Sequence, residues 1–262
     1  MTHRAVWRLY SDSYQRCREG GVVVKVGRLP LWVALVSWCA MLVLIGLVTA
    51  YAVPLHSAFW LRMLPWLLAR TSGLAAFVLL TLIVVLGILL SHPRNLVEWK
   101  FSKIIIVWHR YLTVLTFGLV ALHIGAIIAD SYAKVGLLGA AIPGLSAYRT
   151  LPVALGTITL YGMILLTTTA ANPKWLGGAR WLTVHRFSIA VFVVAWMHGV
   201  LAGTDTLAFT PMYILAGGAV GFAYAGRWWI DRTLPPRPDP GPARTAPLER
   251  TDGTSAIPGG TS

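Results

Sequence analysis

The chain has 262 residues, of which 56% are hydrophobic and only 12% are charged. A soluble domain of this length needs more charge to cover its surface, so the composition excludes a soluble globular protein and indicates an integral membrane protein. The net charge is +13, but the basic residues lie in short segments beside apolar runs. This distribution is typical of anchoring to anionic membrane lipid and argues against a nucleic-acid partner.

The sequence begins with a basic, mixed segment at residues 1–28, which is too long and too charged for the n-region of a signal peptide. Six apolar runs follow, and each is long enough to cross a hydrocarbon core of about 30 Å as a helix. They cover residues 30–53, 70–91, 103–129, 149–171, 181–203 and 210–230. Because the runs lack the alternation of barrel strands, we predict an all-α integral membrane protein with a six-transmembrane-helix bundle over residues 29–232.

The charge of the loops predicts how this bundle is oriented. Most of the positive charge lies in the N-terminal segment, in the loops at 92–103 and 172–180, and in the C-terminal tail. With six spans, the positive-inside rule therefore predicts that both termini are cytoplasmic. Residues 233–262 are rich in proline, glycine, serine and threonine and have little to bury, so we expect a disordered C-terminal tail.

Two of the predicted spans carry two histidines each. These are His109 and His123 in the third span, and His185 and His198 in the fifth. His109 follows Lys103 by six residues. His185 follows Arg180 by five residues. At a rise of 1.5 Å per residue, both imidazoles are expected about 8–9 Å from the cytoplasmic boundary.

The remaining two intramembrane histidines lie near the opposite boundary. His123 precedes Asp130 by seven residues, and the same spacing separates His198 from Asp205. Both imidazoles are therefore expected about 10 Å from the outer boundary. The sequence thus predicts two histidine pairs, each at one level of the membrane, separated by about 20 Å along the helix axes.

Two imidazoles that face each other across a bundle form a bis-histidine axial site for b-type haem iron. A single histidine in a membrane helix makes an interhelical hydrogen bond about as often as it binds a ligand, and the repeated pattern favours the haem interpretation. At 100° per residue, the spacing from His109 to His123 returns to within about 40° of one face. The 13-residue spacing from His185 to His198 is off by about 140° unless that helix is tilted or locally distorted.

Other residues of the two spans have two interpretations each. Arg110 and Arg186, each beside a histidine, could pair with haem propionates or extend to lipid phosphates. Small residues at Gly118, Gly125 and Gly199 could let a macrocycle approach the backbone, although membrane glycines more often serve helix packing.

The two His-Arg dipeptides, followed by a second histidine after 13 and after 12 residues, resemble the ferric reductase-like transmembrane domain superfamily. This superfamily includes ferric reductases, the membrane domains of NADPH oxidases and the haem subunit of the periplasmic methionine sulfoxide reductase system. The resemblance covers about residues 70–230. It implies that His109 and His185 hold an inner haem b and that His123 and His198 hold an outer one.

The resemblance further implies an oxidoreductase, or an electron-transfer subunit of one, in the cell membrane. Electrons would pass from a cytoplasmic or membrane donor (a flavoprotein, a flavin or a quinol) to an extracytoplasmic acceptor protein or ferric chelate. Many members add a flavin and nicotinamide domain, and no such domain is expected in this chain. The alternative is a haem-free structural membrane protein or a transporter whose histidines bind a metal or join helices. The loop histidines His56 and His92 are left without a role.

Overall fold

A computed structural model describes residues 31–52, 57–91, 99–176 and 180–233. The predictions for residues 1–28, for His56 and His92, and for the tail from residue 234 onward lie outside these ranges. Helices dominate the described chain, and no strand occurs in these ranges. The helices are α1 (Leu31–Ala52), α2 (Ala58–Leu90), α3 (Trp99–Ala129), α4 (Gly136–Ala141), α5 (Thr150–Ala171), α6 (Arg180–His185), α7 (Ser188–Ala202) and α8 (Thr206–Thr233), with a 3₁₀ helix at Pro173–Leu176.

Five stretches of the described chain are long and apolar enough to cross a membrane. They are Ala58–Leu90, Ile104–Ala129, Thr150–Ala171, Arg180–Ala202 and Thr206–Ile230. These stretches correspond to the second to sixth of the six predicted spans, and the protein is a multi-pass membrane protein. In α1, the apolar stretch of described side chains is the shorter Val36–Leu47, so a sixth crossing stays a prediction.

The second span begins earlier than its predicted start at residue 70. Helix α2 has 33 residues and runs through Pro65 and Arg70, both of which favour a boundary at the level of sequence. Arg70 can lie inside the helix because its guanidinium group forms an ion pair with Asp205, which offsets the cost of an intramembrane charge.

The fifth span is interrupted next to its first histidine. Helix α6 ends at His185, Arg186 and Phe187 form a turn, and α7 begins at Ser188. In this turn the amide of Phe187 donates to the carbonyl of Val184, three residues earlier, at 3.0 Å. The tighter 3₁₀-type bond changes the rotation of the chain between the two histidines. This interruption lies between the two histidines, in the segment where the 13-residue spacing predicted a tilt or a local distortion.

Helix α2 packs along α3, and α5 packs along α7, while α2 also contacts α7 and α8. A core cluster joins α2, α7 and α8, with Phe77 stacked on Phe192 at 5.8 Å and tilted against Tyr213 at 5.3 Å between ring centres. Helices α3 and α7, which carry three of the four intramembrane histidines, do not pack closely against each other within the described part of the chain. The two helices therefore lie on opposite sides of a gap within the bundle.

Candidate functional site: two histidine pairs

The structure brings the four intramembrane histidines together in twos across the space between α3 and the α6–α7 segment. The ring centres of His109 and His185 are 6.2 Å apart, with 71° between the ring planes. The ring centres of His123 and His198 are also 6.2 Å apart, with 83° between the planes. The described ranges contain no cluster of three or more histidine, cysteine, aspartate or glutamate side chains arranged to hold a metal ion. These pairs are called the His109–His185 pair and the His123–His198 pair below.

Three of the four imidazoles are oriented by main-chain carbonyl groups of the neighbouring helices α2 and α5. Nδ1 of His109 donates to Ile83 at 3.1 Å, Nδ1 of His123 to Ala69 at 2.6 Å, and Nδ1 of His198 to Pro152 at 2.7 Å. A carbonyl oxygen can only accept, so Nδ1 carries the proton in each ring. In the neutral form of each ring, the Nε2 atom is then unprotonated and has the lone pair that a metal requires.

His185 differs from the other three histidines. Its Nδ1 atom is buried and makes no well-aligned hydrogen bond, although the backbone of Leu166 on α5 interacts with the ring. The ring also lies 5.8 Å from the ring centre of Trp181, one turn earlier in α6. The His109–His185 pair therefore has one carbonyl hydrogen bond, and the His123–His198 pair has two shorter ones.

The distance within each pair fits a single metal atom between two imidazoles. An imidazole nitrogen binds a transition metal at about 2.0–2.1 Å, and the ring centre lies about 1.1 Å behind that nitrogen, so opposed rings on one metal have centres about 6.2–6.4 Å apart. Both pairs have the lower of these separations. The donor set and its carbonyl partners thus fit the axial ligands of a haem iron.

The two arginines that follow the first histidine of each span are exposed and make no ion pair within the described part of the chain. Arg110 follows His109 in α3, and Arg186 lies in the turn between α6 and α7. Their pairing with propionates or with lipid phosphates stays a prediction.

A third arginine, Arg70, lies beside the His123–His198 pair and joins two helices there. The guanidinium group of Arg70 pairs with Asp205, donates to the hydroxyl of Thr204 at 2.7 Å, and lies 4.3 Å from the ring centre of Trp66. Arg70 follows Ala69, whose carbonyl accepts the hydrogen bond of His123. The ion pair therefore anchors this end of α2 to the start of α8.

A fourth arginine joins α5 to the end of α7. Arg149 precedes the first residue of α5 with a left-handed backbone (φ 41°). Its guanidinium group donates to the carbonyls of Leu201 at 3.0 Å and Ala202 at 3.1 Å. These are terminal carbonyls of α7, which a cation at a helix C-terminus stabilises. The contact keeps His198 beside Pro152.

Two of the three glycines that the sequence analysis singled out lie against other side chains. A Cβ atom placed on Gly118 would lie 1.0 Å from Trp38 of α1, and one placed on Gly199 would lie 3.0 Å from Tyr213. Gly118 and Gly199 thus serve helix packing, which was the alternative interpretation, while Gly125 has open space around it.

The glycines that face the imidazoles were not found from the sequence. They are Gly73 beside His123, Gly87 beside His109, and Gly156 beside His198. One signal was available, because Gly73 and Gly87 are 14 residues apart, as are His109 and His123. Without the knowledge that α2 packs along α3, nothing linked the two spacings.

Comparison with known proteins agrees with these observations. Residues 72–196, a little under half of the chain, match the family model of the ferric reductase like transmembrane component. The match contains His109, His123 and His185, and His198 lies two residues beyond its end. Neither a curated protein nor a solved structure matches the chain. Residues 72–196 are therefore similar to the ferric reductase like transmembrane component, and this similarity indicates a membrane redox or electron-transfer function.

Proposed function

We propose that this protein is a membrane cytochrome that holds two b-type haems and moves electrons across the membrane. The observation that carries this proposal is the presence of two imidazole pairs with the same 6.2 Å separation, each inside the matched family region or within two residues of it. His109 and His185 would ligate the inner haem iron. His123 and His198 would ligate the outer one.

Haem supplies one-electron chemistry through its iron when it is bound. The chain's own residues would provide four imidazole nitrogens as ligands and the apolar surroundings of the two sites. Two histidines on one iron leave no open position for a substrate, so the pairs suit electron transfer better than oxygen binding. The acceptor would then react at the outer surface of the protein or on a separate partner.

The direction of transfer follows from the proposed orientation, in which α1 is the first of six spans and both termini are cytoplasmic. The His109–His185 pair then lies nearer the cytoplasm and takes electrons from a flavoprotein, a flavin or a quinol. The His123–His198 pair lies nearer the outside and delivers them to an acceptor protein or a ferric chelate. Arg110 and Arg186 would pair with the propionates of the inner haem or with lipid phosphates.

A visible absorption spectrum of the purified protein tests the central part of the proposal. We expect low-spin b-type bands that sharpen on reduction with dithionite, with two haems per chain. Protein that carries no haem after expression with haem supplied in excess would contradict the proposal. It would favour a haem-free membrane protein whose histidines join helices.

Substitution of the histidines tests their pairing. We expect His109→Ala and His185→Ala to remove the same haem, because each variant leaves one of two axial ligands, while His123→Ala removes the other. The haem-to-protein ratio should fall from about two to about one in each variant, and reduction across proteoliposomes should stop. His92→Ala, outside the predicted spans, is the control and should keep both haems. An unchanged ratio in His109→Ala or His185→Ala would contradict the assignment.

A further inference from the structure

The three carbonyl groups that orient the imidazoles share a local sequence feature. Each is followed four residues later by a glycine: Ala69 by Gly73, Ile83 by Gly87, and Pro152 by Gly156. In an α-helix, the carbonyl of residue i lies next to residue i+4, and side chains lean toward the N-terminus. The side chain at i+4 therefore covers the carbonyl at i. A glycine at i+4 leaves that carbonyl open to a group from another helix.

The space around these glycines shows how closely the rings approach. A Cβ atom on Gly73 would lie 2.8 Å from Nδ1 of His123, and one on Gly156 would lie 2.7 Å from Cε1 of His198. Real Cβ atoms do not approach ring atoms this closely, so an alanine would push each ring away from its carbonyl. At Gly87 the distance to His109 is 3.4 Å, which is an ordinary contact. The His123–His198 pair thus depends on its glycines more strictly than the other pair.

The fourth position lacks a glycine. Leu166 is the α5 residue whose backbone lies near His185, and the residue four positions later is Ala170. The Nδ1 atom of His185 has no well-aligned hydrogen bond. The imidazole without a well-formed carbonyl bond is therefore the one whose nearby carbonyl is followed four residues later by an alanine.

We propose that Gly73 and Gly156 are positioning residues that expose the Ala69 and Pro152 carbonyls to the ligand histidines, and that Ala170 withholds the same bond from His185. A hydrogen bond from Nδ1 fixes the ring of a metal-bound histidine and raises its basicity. The two sites are thereby unequal, with the stronger donor ligands in the His123–His198 pair. This inference rests on the proposed function, because the unequal basicity matters only at a ligated metal.

The test uses single variants of the full chain, with haem content, the electron paramagnetic resonance spectrum of the oxidised protein and the two midpoint potentials as readouts. In Gly73→Ala and Gly156→Ala, a weakened Nδ1 bond makes the imidazole a poorer donor to ferric iron. We expect the potential of the His123–His198 haem to rise, or that haem alone to be lost. The haem that remains in His123→Ala identifies the other site, which should keep its potential.

Gly218→Ala is the matched control. Gly218 lies on α8, and a Cβ atom there meets nothing within 4 Å. Inside a helix, glycine is less stable than alanine by about 0.5–1 kcal/mol, so Gly218→Ala should not destabilise α8. We therefore expect both haems and both midpoint potentials to be unaltered.

A variant that should gain a hydrogen bond separates a specific effect on the haem from general disruption of the fold. Ala170→Gly should open the Leu166 carbonyl to His185 and lower the potential of the His109–His185 haem, which mere disruption would not do. Two haems with wild-type potentials in both Gly73→Ala and Gly156→Ala would overturn the inference, as would an unmoved potential in Ala170→Gly. A wild-type protein without haem would instead overturn the proposed function.

Discussion

At the scale of single residues, one glycine decides whether α1 can pack on α3. Trp38 of α1 lies in the space that a side chain at Gly118 would fill, with ring atom Cζ2 only 1.0 Å from the ideal Cβ position. The indole ring can therefore reach the backbone of α3 only because residue 118 has no side chain. Since α1 otherwise contacts the bundle sparsely, this contact is its main attachment among the described residues.

Substitution of Gly118 tests this attachment. Gly118→Ala should lower the stability of the protein in detergent by about 1–3 kcal/mol, as other overpacked cores do. In a Trp38→Ala background, the same change should be neutral or slightly stabilising, because the clash is gone and alanine favours a helix. Thermal unfolding of the four proteins measures this coupling. Equal losses in both backgrounds would contradict the proposed role of Trp38.

At the scale of secondary structure, the turn at Arg186 and Phe187 interrupts the helix between His185 and His198 and changes the rotation between them. Phe192, only 3% exposed, holds α7 in the core cluster. With that anchor, the 13-residue spacing brings His198 to Pro152 and His123. A straight helix with the same spacing would point the two imidazoles about 140° apart.

An insertion distinguishes the interrupted helix from a straight one. One alanine inserted between Val194 and Ala195 makes the histidine spacing 14 residues, which would improve the alignment of a straight helix. In the interrupted helix it rotates His198 by about 100° away from its partners. We expect the haem-to-protein ratio to fall from about two to about one.

The control for this insertion is an alanine between Gly144 and Leu145, in an exposed turn before α5. It should keep both haems. Retention of two haems by the α7 insertion would contradict the role assigned to the turn.

At the scale of the whole molecule, the exterior of the bundle is apolar. Large hydrophobic side chains are exposed on the helices, and those of α1 include Val36 at 58%, Leu44 at 61% and Leu47 at 63%. Water would not tolerate a continuous surface of this kind, whereas lipid favours it. A helix of 22 residues is about 33 Å long, so α1 is long enough for the sixth crossing that the proposal requires.

Reporter fusions test the six-span orientation. A green fluorescent protein at the C-terminus should fluoresce, because it folds in the cytoplasm, and alkaline phosphatase inserted after Gly144 should be active outside. The haem content of each fusion confirms that the bundle still assembles. An active phosphatase fused to the C-terminus would place that terminus outside and would reverse the proposed direction of electron transfer.

The sequence by itself determined the class of protein and the approximate positions of five spans, and it predicted the level of each histidine. Hydrophobic length sets where a helix can cross, and a rise of 1.5 Å per residue converts spacing into depth. The start of α2 could not be read this way, since Arg70 resembles a boundary until its partner Asp205 is known.

Rotation and partners were decided only by the tertiary structure. The predicted depths paired His123 with His198. In an ideal straight helix, however, the 13-residue spacing places His185 and His198 on different faces, and the turn at Phe187 is visible only in the structure. The carbonyls of Ala69 and Pro152, and the glycines that expose them, come from other helices. Only the packing of helices brings these groups to an imidazole, because separation along the chain does not determine separation in space.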